Sequence, residues 1–438
     1  MTYHTDKAQL LKQAFQAGLD AVMPQHFMAD ICQKTSQIAQ IAQSEQGKQG
    51  KKCHLLAFGK AAGAMAQGFF KEGGQAQSGL VIVPEGVDCT HGVHLPDFVQ
   101  IIHASHPVPN ANSVKAAEAA LSLAKRLGEG DMLIVLISGG GSSLMSKGLG
   151  TIGLADKKAL NEALLASGMP IGDMNIIRKH LSAVKGGRLA LAAYPASVMS
   201  FALSDVPGDV PAAIASGPTC ADDSDRAQAN ALITRYQLQL PDSVLQMLAD
   251  EACETPFSND SRLANAQFEV VASAAIALKA AAKIVEQAGY QPVILGDDLE
   301  EEAGALADMM AAKLASLPDG TALISGGEAS VIVPEKAGVG GRNAQFALEM
   351  VRRDLDDICG ISCDSDGIDG AKAVAGALFY AGMKDKALSL GHDPEVYHQN
   401  CDSHSFFAAM GTDIITGPTQ TNVNDVRIIL KGSPRGYK

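Results

Sequence analysis

The sequence predicts an α/β protein of two domains built on largely parallel sheets. The chain has 438 residues, which is long for a single hydrophobic core. Short apolar runs alternate with helical patterns along almost its whole length, as expected when helices connect parallel strands. Glycine clusters follow several of the apolar runs, at the positions where strand-to-helix turns are expected.

Hydrophobic periodicity locates the individual elements. Residues 113–127 carry Val114, Ala117, Leu121 and Ala124 at three- and four-residue steps, which is typical of an amphipathic helix. Apolar runs predict strands at 54–60, 80–83, 99–104, 132–138, 198–206, 268–273, 292–296, 321–327, 358–362 and 426–430. A polar stretch at 220–230 indicates a boundary region, so we place the domain division near residue 250, giving domains 1–250 and 251–438.

Composition excludes several classes of protein. The net charge of −13 opposes sequence-independent binding of nucleic acid, which needs a basic surface. The eight cysteines are scattered without a CxxC pair, so neither a zinc site nor a disulfide framework is expected. The amino-terminal sequence lacks the apolar core of a signal peptide, and no apolar run has the length of a membrane span. We therefore expect a cytoplasmic protein that binds neither nucleic acid nor membrane.

Two predicted strands end in the same motif, LISGG, once from Leu136 and again from Leu323. Glycines let backbone N–H groups approach an anion closely, and a following helix start favours negative charge. Each loop is therefore either a cradle for phosphate or carboxylate or an ordinary tight turn. The candidate anion-binding residues are Ser138, Gly139, Gly140, Gly141, Ser142 and Ser143 in the first loop, and Gly326, Gly327 and Glu328 in the second.

Two cations occupy positions that favour anion binding. Lys60 lies where a helix begins, an end at which a cation is disfavoured unless an anion is bound beside it. Arg342 lies between glycines and a helix, where its planar fork of donors could face phosphate oxygens. The alternatives are a surface lysine at a turn and a capping or salt-bridge arginine.

The sequence allows more than one role for a basic segment and for two acidic loops. Residues 175–190 carry Arg178, Lys179, Lys185 and Arg188, which could line an anion cleft or form a solvated face. Asp205 and Asp209 follow a strand in a loop rich in proline and glycine, where they could bind Mg²⁺, accept a substrate proton or cap a turn. The same alternatives apply to Asp364, Asp366 and Asp369, and His106 in SHPVPN is interpreted as structural.

Several nucleotide-binding signatures are missing. No strand is followed by the dinucleotide fingerprint G-x-G-x-x-G, and neither the P-loop nor the protein-kinase motifs occur. Taken together, however, the motifs FGKAAGAM, SHPVPN, LISGGGSSL, RKHLSAVKGGRLA, LSDVPGDVPAAIASGPT, LISGGEASV, GGRNAQFAL, SDGIDG and TGPTQTNVNDV closely resemble the glycerate 2-kinases of the MOFRL type. The resemblance extends from about residue 10 to about residue 430.

The resemblance implies a fold and a reaction. The first domain would be Rossmann-like with a largely parallel sheet, the second an α/β domain particular to the family, with the active site in the cleft between them. The enzyme would transfer the γ-phosphoryl group of ATP to the 2-hydroxyl of D-glycerate with Mg²⁺. By motif position, Lys60 and Arg342 match the family's active-site cations. We assign Asp205 to metal contact or proton acceptance, with Asp209 as a second metal ligand.

Two other functions remain to be weighed. Some proteins of this type were formerly labelled hydroxypyruvate reductases, which would use NAD(P)H, but the missing dinucleotide fingerprint opposes that function. A small-anion binding protein without catalytic activity is a third hypothesis. The sequence leaves open a monomer or a homodimer, and it leaves open which glycine loop binds phosphates.

Overall fold

The computed structural model describes residues 2–46, 52–87, 94–370 and 372–434. Contacts divide the chain into two compact units, which we call the amino-terminal unit (Phe27–Val271) and the carboxy-terminal unit (Met1–His26 with Ala272–Lys438). The first helix thus belongs to the carboxy-terminal unit. The division into functional domains near residue 250 stays a prediction.

The described residues contain twelve strands and sixteen α-helices. The strands are β1 (Lys52–Phe58), β2 (Ser78–Pro84), β3 (Val99–Ala104), β4 (Asp131–Ile137), β5 (Ser197–Leu203), β6 (Ala266–Ala272), β7 (Gln291–Ile294), β8 (Thr321–Ser325), β9 (Ile358–Asp364), β10 (Gly376–Tyr380), β11 (Asp413–Ile414) and β12 (Asp425–Lys431). The helices are α1 (Thr2–Ala21), α2 (Pro24–Gln46), α3 (Ala62–Lys71), α4 (Ala111–Lys125), α5 (Gly141–Leu144), α6 (Leu154–Ala166), α7 (Ile171–His180), α8 (Arg188–Ala193), α9 (Arg226–Arg235), α10 (Asp242–Ala249), α11 (Ala274–Gln287), α12 (Ala303–Ser316), α13 (Arg342–Arg353), α14 (Met383–Ser389), α15 (Pro394–Gln399) and α16 (Ser403–Met410).

The amino-terminal unit is built on a six-stranded sheet with the order β3-β2-β1-β4-β5-β6. The pairs β1–β2, β2–β3, β1–β4 and β4–β5 are all parallel. Strand β4 is buried along almost its whole length, as expected for a parallel strand covered on both faces. The prediction of a largely parallel first sheet is confirmed.

Helices of this unit form two hydrophobic clusters. The helix predicted within residues 113–127 is α4, whose first turn is capped by the side chain of Asn110, and it packs on the sheet. A second cluster joins α6, α7, α9 and α10 through residues such as Leu164, Ile177 and Val244. This helical cluster fixes the orientation of α6 and α7.

The carboxy-terminal unit contains a second six-stranded sheet, with the order β11-β10-β9-β12-β8-β7. Only the pair β7–β8 is parallel, whereas β8–β12, β12–β9, β9–β10 and β10–β11 are antiparallel. The expectation of largely parallel sheets is therefore wrong for this unit. Strands β10 and β11 were not predicted, because β10 follows β9 through a loop and antiparallel neighbours need no crossover helix.

Two helices of the carboxy-terminal unit illustrate how its sheet is covered. Helix α1 packs against α11 over one face, burying Leu11, Phe15 and Leu278. Helix α13 is largely buried, and it packs in a hydrophobic cluster with other elements of the unit. Within this cluster, Phe346 of α13 packs edge-on against Phe379.

The described residues show neither a disulfide nor a helix that could cross a membrane. The described cysteines form no disulfide with one another, and Cys89 lies outside the described residues. Within the part of the chain that the structure describes, no helix combines the length and the apolar character that a membrane crossing requires.

Candidate active site

The predicted anion-binding elements of the amino-terminal unit meet at one edge of its sheet. The strand order reverses between β1 and β4, and ligands of open α/β sheets bind at such a reversal, beyond the carboxyl ends of the strands. Lys60 follows β1, and its backbone N–H donates to Gly139 O at 2.8 Å. The N–H of Ala61 donates to Ser138 Oγ at 3.0 Å. Lys60 and the first LISGG loop are thus adjacent, as their positions after neighbouring strands predict.

The first loop presents unused donors. Among the described residues, the N–H groups of Gly139 and Gly140 have no hydrogen-bond acceptor, although the chain turns tightly there. Ser143 completes the turn, with its N–H donating to Gly140 O at 3.2 Å. Two free amides beside Lys60 suit a phosphate or carboxylate oxygen.

Asp205 follows β5 and lies directly against this loop. A Cβ atom added to Gly139 would lie 1.9 Å from Asp205 Oδ2, so only glycine allows the carboxylate this approach. Asp209 lies farther along, at the end of a short 3₁₀ turn with a φ of 54°. Asp205 is therefore held beside the glycine loop, and Asp209 lies on the 3₁₀ turn that follows it.

The donor set can be tested against Mg²⁺. Within the described ranges, no three His, Cys, Asp or Glu side chains form a group suited to a metal ion. A complex of Mg²⁺ with a nucleotide needs fewer protein ligands, because Mg²⁺ typically binds one or two carboxylates together with substrate phosphates. The single carboxylate of Asp205 beside the amides of the glycine loop fits such a shared site.

A basic cavity opens next to the first loop. It has a volume of about 220 Å³, and its lining includes His106, Gly140, Ser142, Ser143, Lys157, Arg178 and Lys185. Burial, followed by the charge of Lys60, lowers the pKa of His106, so its ring is neutral near pH 7. His106, which the sequence analysis interpreted as structural, thus lines this cavity.

The four basic residues of the segment 175–190 have different roles. Arg178 and Lys185 line the basic cavity. Lys179 is buried and pairs with Asp222 at 2.5 Å, whereas Arg188 donates to the backbone carbonyls of Ala252 and Glu254 at 3.1 and 3.0 Å. The segment is therefore neither a solvated face nor wholly an anion site, since two of its cations stabilise the fold.

Lys157 is the third cation of the cavity, and the sequence pattern did not predict this position. It lies on α6 beside the exposed Lys158, and only the docking of α6 determines which of the two faces the cavity. Burial, followed by the charge of Arg178, lowers the pKa of Lys157 to about 8. Burial, followed by Lys157 and Arg178, also lowers the pKa of Lys185.

In the carboxy-terminal unit, three strands bring acidic groups to one sheet edge. Strand β12 runs antiparallel to β8 and β9, so its amino end lies beside their carboxyl ends. Asp425 at the start of β12 pairs in register with Asp364 at the end of β9, and Glu328 follows β8 in the second LISGG loop.

Arg342 uses all three sides of its guanidinium group at this edge. Its Nε donates to Asp425 Oδ1 at 2.8 Å, Nη1 to Glu328 Oε1 at 2.7 Å and Nη2 to Asp364 Oδ2 at 2.7 Å. Burial alone would lower the pKa of Arg342, but the three carboxylates raise it well above its usual value, so the side chain is always charged. In this arrangement Arg342 is a salt-bridge arginine, which the sequence allowed as one alternative to anion binding.

The second LISGG loop differs from the first in its hydrogen bonds. The N–H of Gly326 donates to Gly296 O at 2.9 Å, and its carbonyl accepts from Arg427 Nη1 at 2.8 Å. The carbonyl of Gly327 accepts from the N–H of Asp425 at 2.9 Å. Among the described residues, only the amides of Gly327 and Glu328 remain without acceptors in this part of the loop.

Comparison with known proteins places the chain in a family. A family model described as a domain of unknown function, DUF4147, matches residues 10–249, and the MOFRL family model matches residues 321–425. The chain is 34% identical over 386 residues to a D-glycerate 2-kinase of Thermotoga maritima, covering 86% of this chain and 90% of that protein. The chain belongs to the MOFRL-type glycerate kinase family.

Other relatives of this family bear two different names. A protein of Agrobacterium vitis, provisionally named a hydroxypyruvate reductase, is 41% identical over 392 residues, which cover 87% of each chain. The crystal structure of a Thermotoga maritima glycerate kinase matches with a TM-score of 0.84 at 31% identity, covering 98% of this chain and 100% of that one. The family resemblance and the α/β fold that the sequence predicts are confirmed.

Proposed function

We propose that this protein is a glycerate 2-kinase, which transfers the γ-phosphoryl group of ATP to the 2-hydroxyl of D-glycerate and yields 2-phosphoglycerate and ADP. The observation that carries the proposal is its likeness, over most of both chains, to relatives named D-glycerate 2-kinase and glycerate 2-kinase. A cytoplasmic location and a monomeric or homodimeric state remain predictions.

The chemistry of the two units suits phosphoryl transfer, in which positioning and charge neutralisation do most of the work. In the amino-terminal unit, Lys60 and the loop Ser138, Gly139, Gly140, Gly141, Ser142 and Ser143 would neutralise and hold phosphoryl oxygens. Lys60 is exposed and forms no ion pair with any described residue, so its charge is available to a ligand.

In the carboxy-terminal unit, Arg342 and the loop residues Gly326, Gly327 and Glu328 would hold a second part of the substrates. Arg342 already has three carboxylate partners, so it binds a phosphate only by exchanging one of them. Glu328 is the partner to exchange, because its side chain is 53% exposed whereas those of Asp364 and Asp425 are buried.

Groups around the first LISGG loop would bind the metal ion and accept the substrate proton. Mg²⁺, when bound, would neutralise charge on the phosphates, and Asp205 would hold it, with Asp209 as a second carboxylate. The hydroxyl proton of glycerate would pass to Asp205 or to His106, since the neutral ring of His106 lines the basic cavity and can accept it.

One observation favours the reductase as a second candidate. The strand order β3-β2-β1-β4-β5-β6 is that of dinucleotide-binding folds. Such folds, however, bring backbone close to the pyrophosphate through the second glycine of the turn after β1, and here Gly59 is followed by Lys60 and Ala61, with Ala61 in place of that glycine. A binding protein without turnover is disfavoured by the likeness to named enzymes.

The deciding experiment compares two reactions of the purified protein. We expect ADP formation that depends on D-glycerate, ATP and Mg²⁺, without oxidation of NADH or NADPH when hydroxypyruvate is supplied. Hydroxypyruvate reduction without ATP turnover would establish the reductase instead. Binding of D-glycerate with neither reaction would establish the binding protein.

A further inference from the structure

Among the described residues, the three cations of the basic cavity lack a carboxylate counter-ion of the kind that the buried Lys179 of this unit possesses. Among the described residues, none of Lys157, Arg178 and Lys185 forms an ion pair with a carboxylate. Within the described part of the chain, Arg178 donates only to the amide oxygens of Asn161 and Asn175, at 3.0 and 3.4 Å. The buried Lys179, by contrast, is matched by Asp222.

Such a cluster is costly without an anion. Charges of the same sign buried together disfavour one another, and removal from water adds to the cost. Lys185 is only 5% exposed and donates to Ser142 Oγ, a neutral partner that leaves its charge uncompensated. A bound anion would repay this cost, so the cluster has the character of a ligand site rather than of a structural ion pair.

The dimensions and lining of the cavity restrict the ligand. A volume of about 220 Å³ is small beside the roughly 300–1,000 Å³ of cavities that bury larger ligands. Its apolar lining consists of Pro107, Pro109 and Leu160, and among the described lining residues there is no Phe, Tyr or Trp to cover a nucleobase. The hydroxyls of Ser142, Ser143 and Ser146 and the amide of Asn161 supply donors and acceptors for hydroxyl groups.

The cavity beside Arg342 has a different character. It measures about 280 Å³, and four of its lining residues are apolar: Ala329, Val331, Val333 and Ala337. Its glycines Gly338, Gly340 and Gly341 also line the cavity, and each packs closely against a neighbouring residue: Asp402, Ser403 and Asp369, respectively. Of the two cavities, this one is the better match for a nucleotide.

We propose that the basic cavity binds the carboxylate of a short hydroxy acid, with Arg178 and Lys185 on the carboxylate oxygens and Lys157 supplying the third positive charge. The serines hold the hydroxyl groups, and the acceptor hydroxyl faces Gly140 and His106, which line the same cavity. This inference rests on the proposed function, because it takes D-glycerate as the hydroxy acid. It assigns the first LISGG loop to glycerate and the transferred phosphoryl group.

The test separates the two substrates kinetically. Lys157→Met and Arg178→Met remove charge while keeping bulk, and each should raise the KM for D-glycerate by about ten- to a hundredfold, the scale of one charge-assisted contact. The KM for ATP should change less than about twofold. Lys158→Met is the matched control, since it removes the adjacent lysine of α6 from an exposed position and should change neither constant.

A second readout needs no turnover. D-glycerate alone, without nucleotide, should raise the melting temperature of the wild type and of Lys158→Met, and it should raise that of Lys157→Met and Arg178→Met much less. Lys157→Arg retains the charge and should keep the glycerate KM within about threefold of wild type, which distinguishes lost charge from disturbed packing.

The outcomes that overturn the inference differ from those that overturn the proposed function. A raised KM for ATP with an unchanged KM for glycerate would assign the cluster to the nucleotide's phosphates. Unchanged constants in folded variants would remove the cavity from substrate binding altogether. Absence of kinase activity in the wild type would refute the proposed function, and the melting experiment with D-glycerate would then still decide what the cavity binds.

Discussion

At the scale of single residues, Lys60 and Arg342 have the same predicted role in very different surroundings. Lys60 is exposed, whereas Arg342 is enclosed by three carboxylates. If both stabilise charge that develops during transfer, Lys60→Ala and Arg342→Ala should each lower kcat at least about a hundredfold, the scale of losing one preorganised donor. Arg342→Lys should also be impaired, because a point charge cannot bridge several oxygens.

Melting curves should distinguish these two residues. Lys60→Ala should leave the melting temperature near that of the wild type, since no ion pair with a described residue is lost. Arg342→Ala should lower it, because Asp364 would lose its cation while remaining buried. Steady-state kinetics beside melting curves provide the measurement, with Lys71→Ala at the exposed end of α3 as control. A folded Lys60→Ala enzyme with wild-type kcat would exclude Lys60 from the mechanism.

At the scale of elements, the start of helix α13 determines where Arg342 lies. The fully buried Asp369 accepts the N–H of Asn343 through Oδ1 at 2.9 Å and that of Ala344 through Oδ2 at 2.8 Å. It therefore caps α13 from a distant loop, and its negative charge suits a helix amino terminus. The acidic loop 363–370 thus holds the helix that begins with Arg342, which is one of the roles that the sequence left open.

Asp369→Asn should weaken this cap. An amide presents only one acceptor oxygen, so one buried N–H would face an NH₂ group, and we expect a loss of about 1–3 kcal/mol in unfolding free energy. Because Arg342 would lose its fixed position, kcat should also fall. Urea unfolding and kinetics measure both effects. Asp366→Asn, which alters a partly exposed turn contact to Ile368 in the same loop, is the control and should have a much smaller effect on stability. Equal effects of the two variants would refute this account of the cap.

At the scale of the whole molecule, the sequence predicted one sheet better than the other. Parallel strands buried on both faces produce continuous apolar runs such as MLIVLI in β4, and helices between them mark the connections. The second sheet is mixed, and β10 follows β9 without a helix between them. The alternation of strands and helices therefore did not predict β10. All ten predicted strands nevertheless correspond to strands of the structure.

The same physical difference explains which site residues could be predicted. Lys60 and the first LISGG loop follow neighbouring parallel strands. Because the carboxyl ends of parallel strands lie at the same edge of a sheet, their proximity could be predicted. Asp425 lies at the amino end of an antiparallel strand, where that rule does not apply. Lys157 depends on how α6 docks, which a helical pattern with two adjacent lysines does not specify.

The last prediction concerns which hydroxyl of glycerate the whole enzyme phosphorylates. The 2-hydroxyl is on the carbon next to the carboxylate, so a carboxylate held by Arg178 and Lys185 would keep that hydroxyl close to its anchor, and relatives are named as 2-kinases. Enolase should therefore consume the product directly, without phosphoglycerate mutase. The measurement is a coupled assay with D-glycerate, ATP and Mg²⁺, with and without the mutase. Authentic 3-phosphoglycerate, which enolase cannot use until the mutase is added, is the control. If the mutase proves obligatory, the product is the 3-phosphate, and the hydroxyl that reacts is the one farther from the carboxylate.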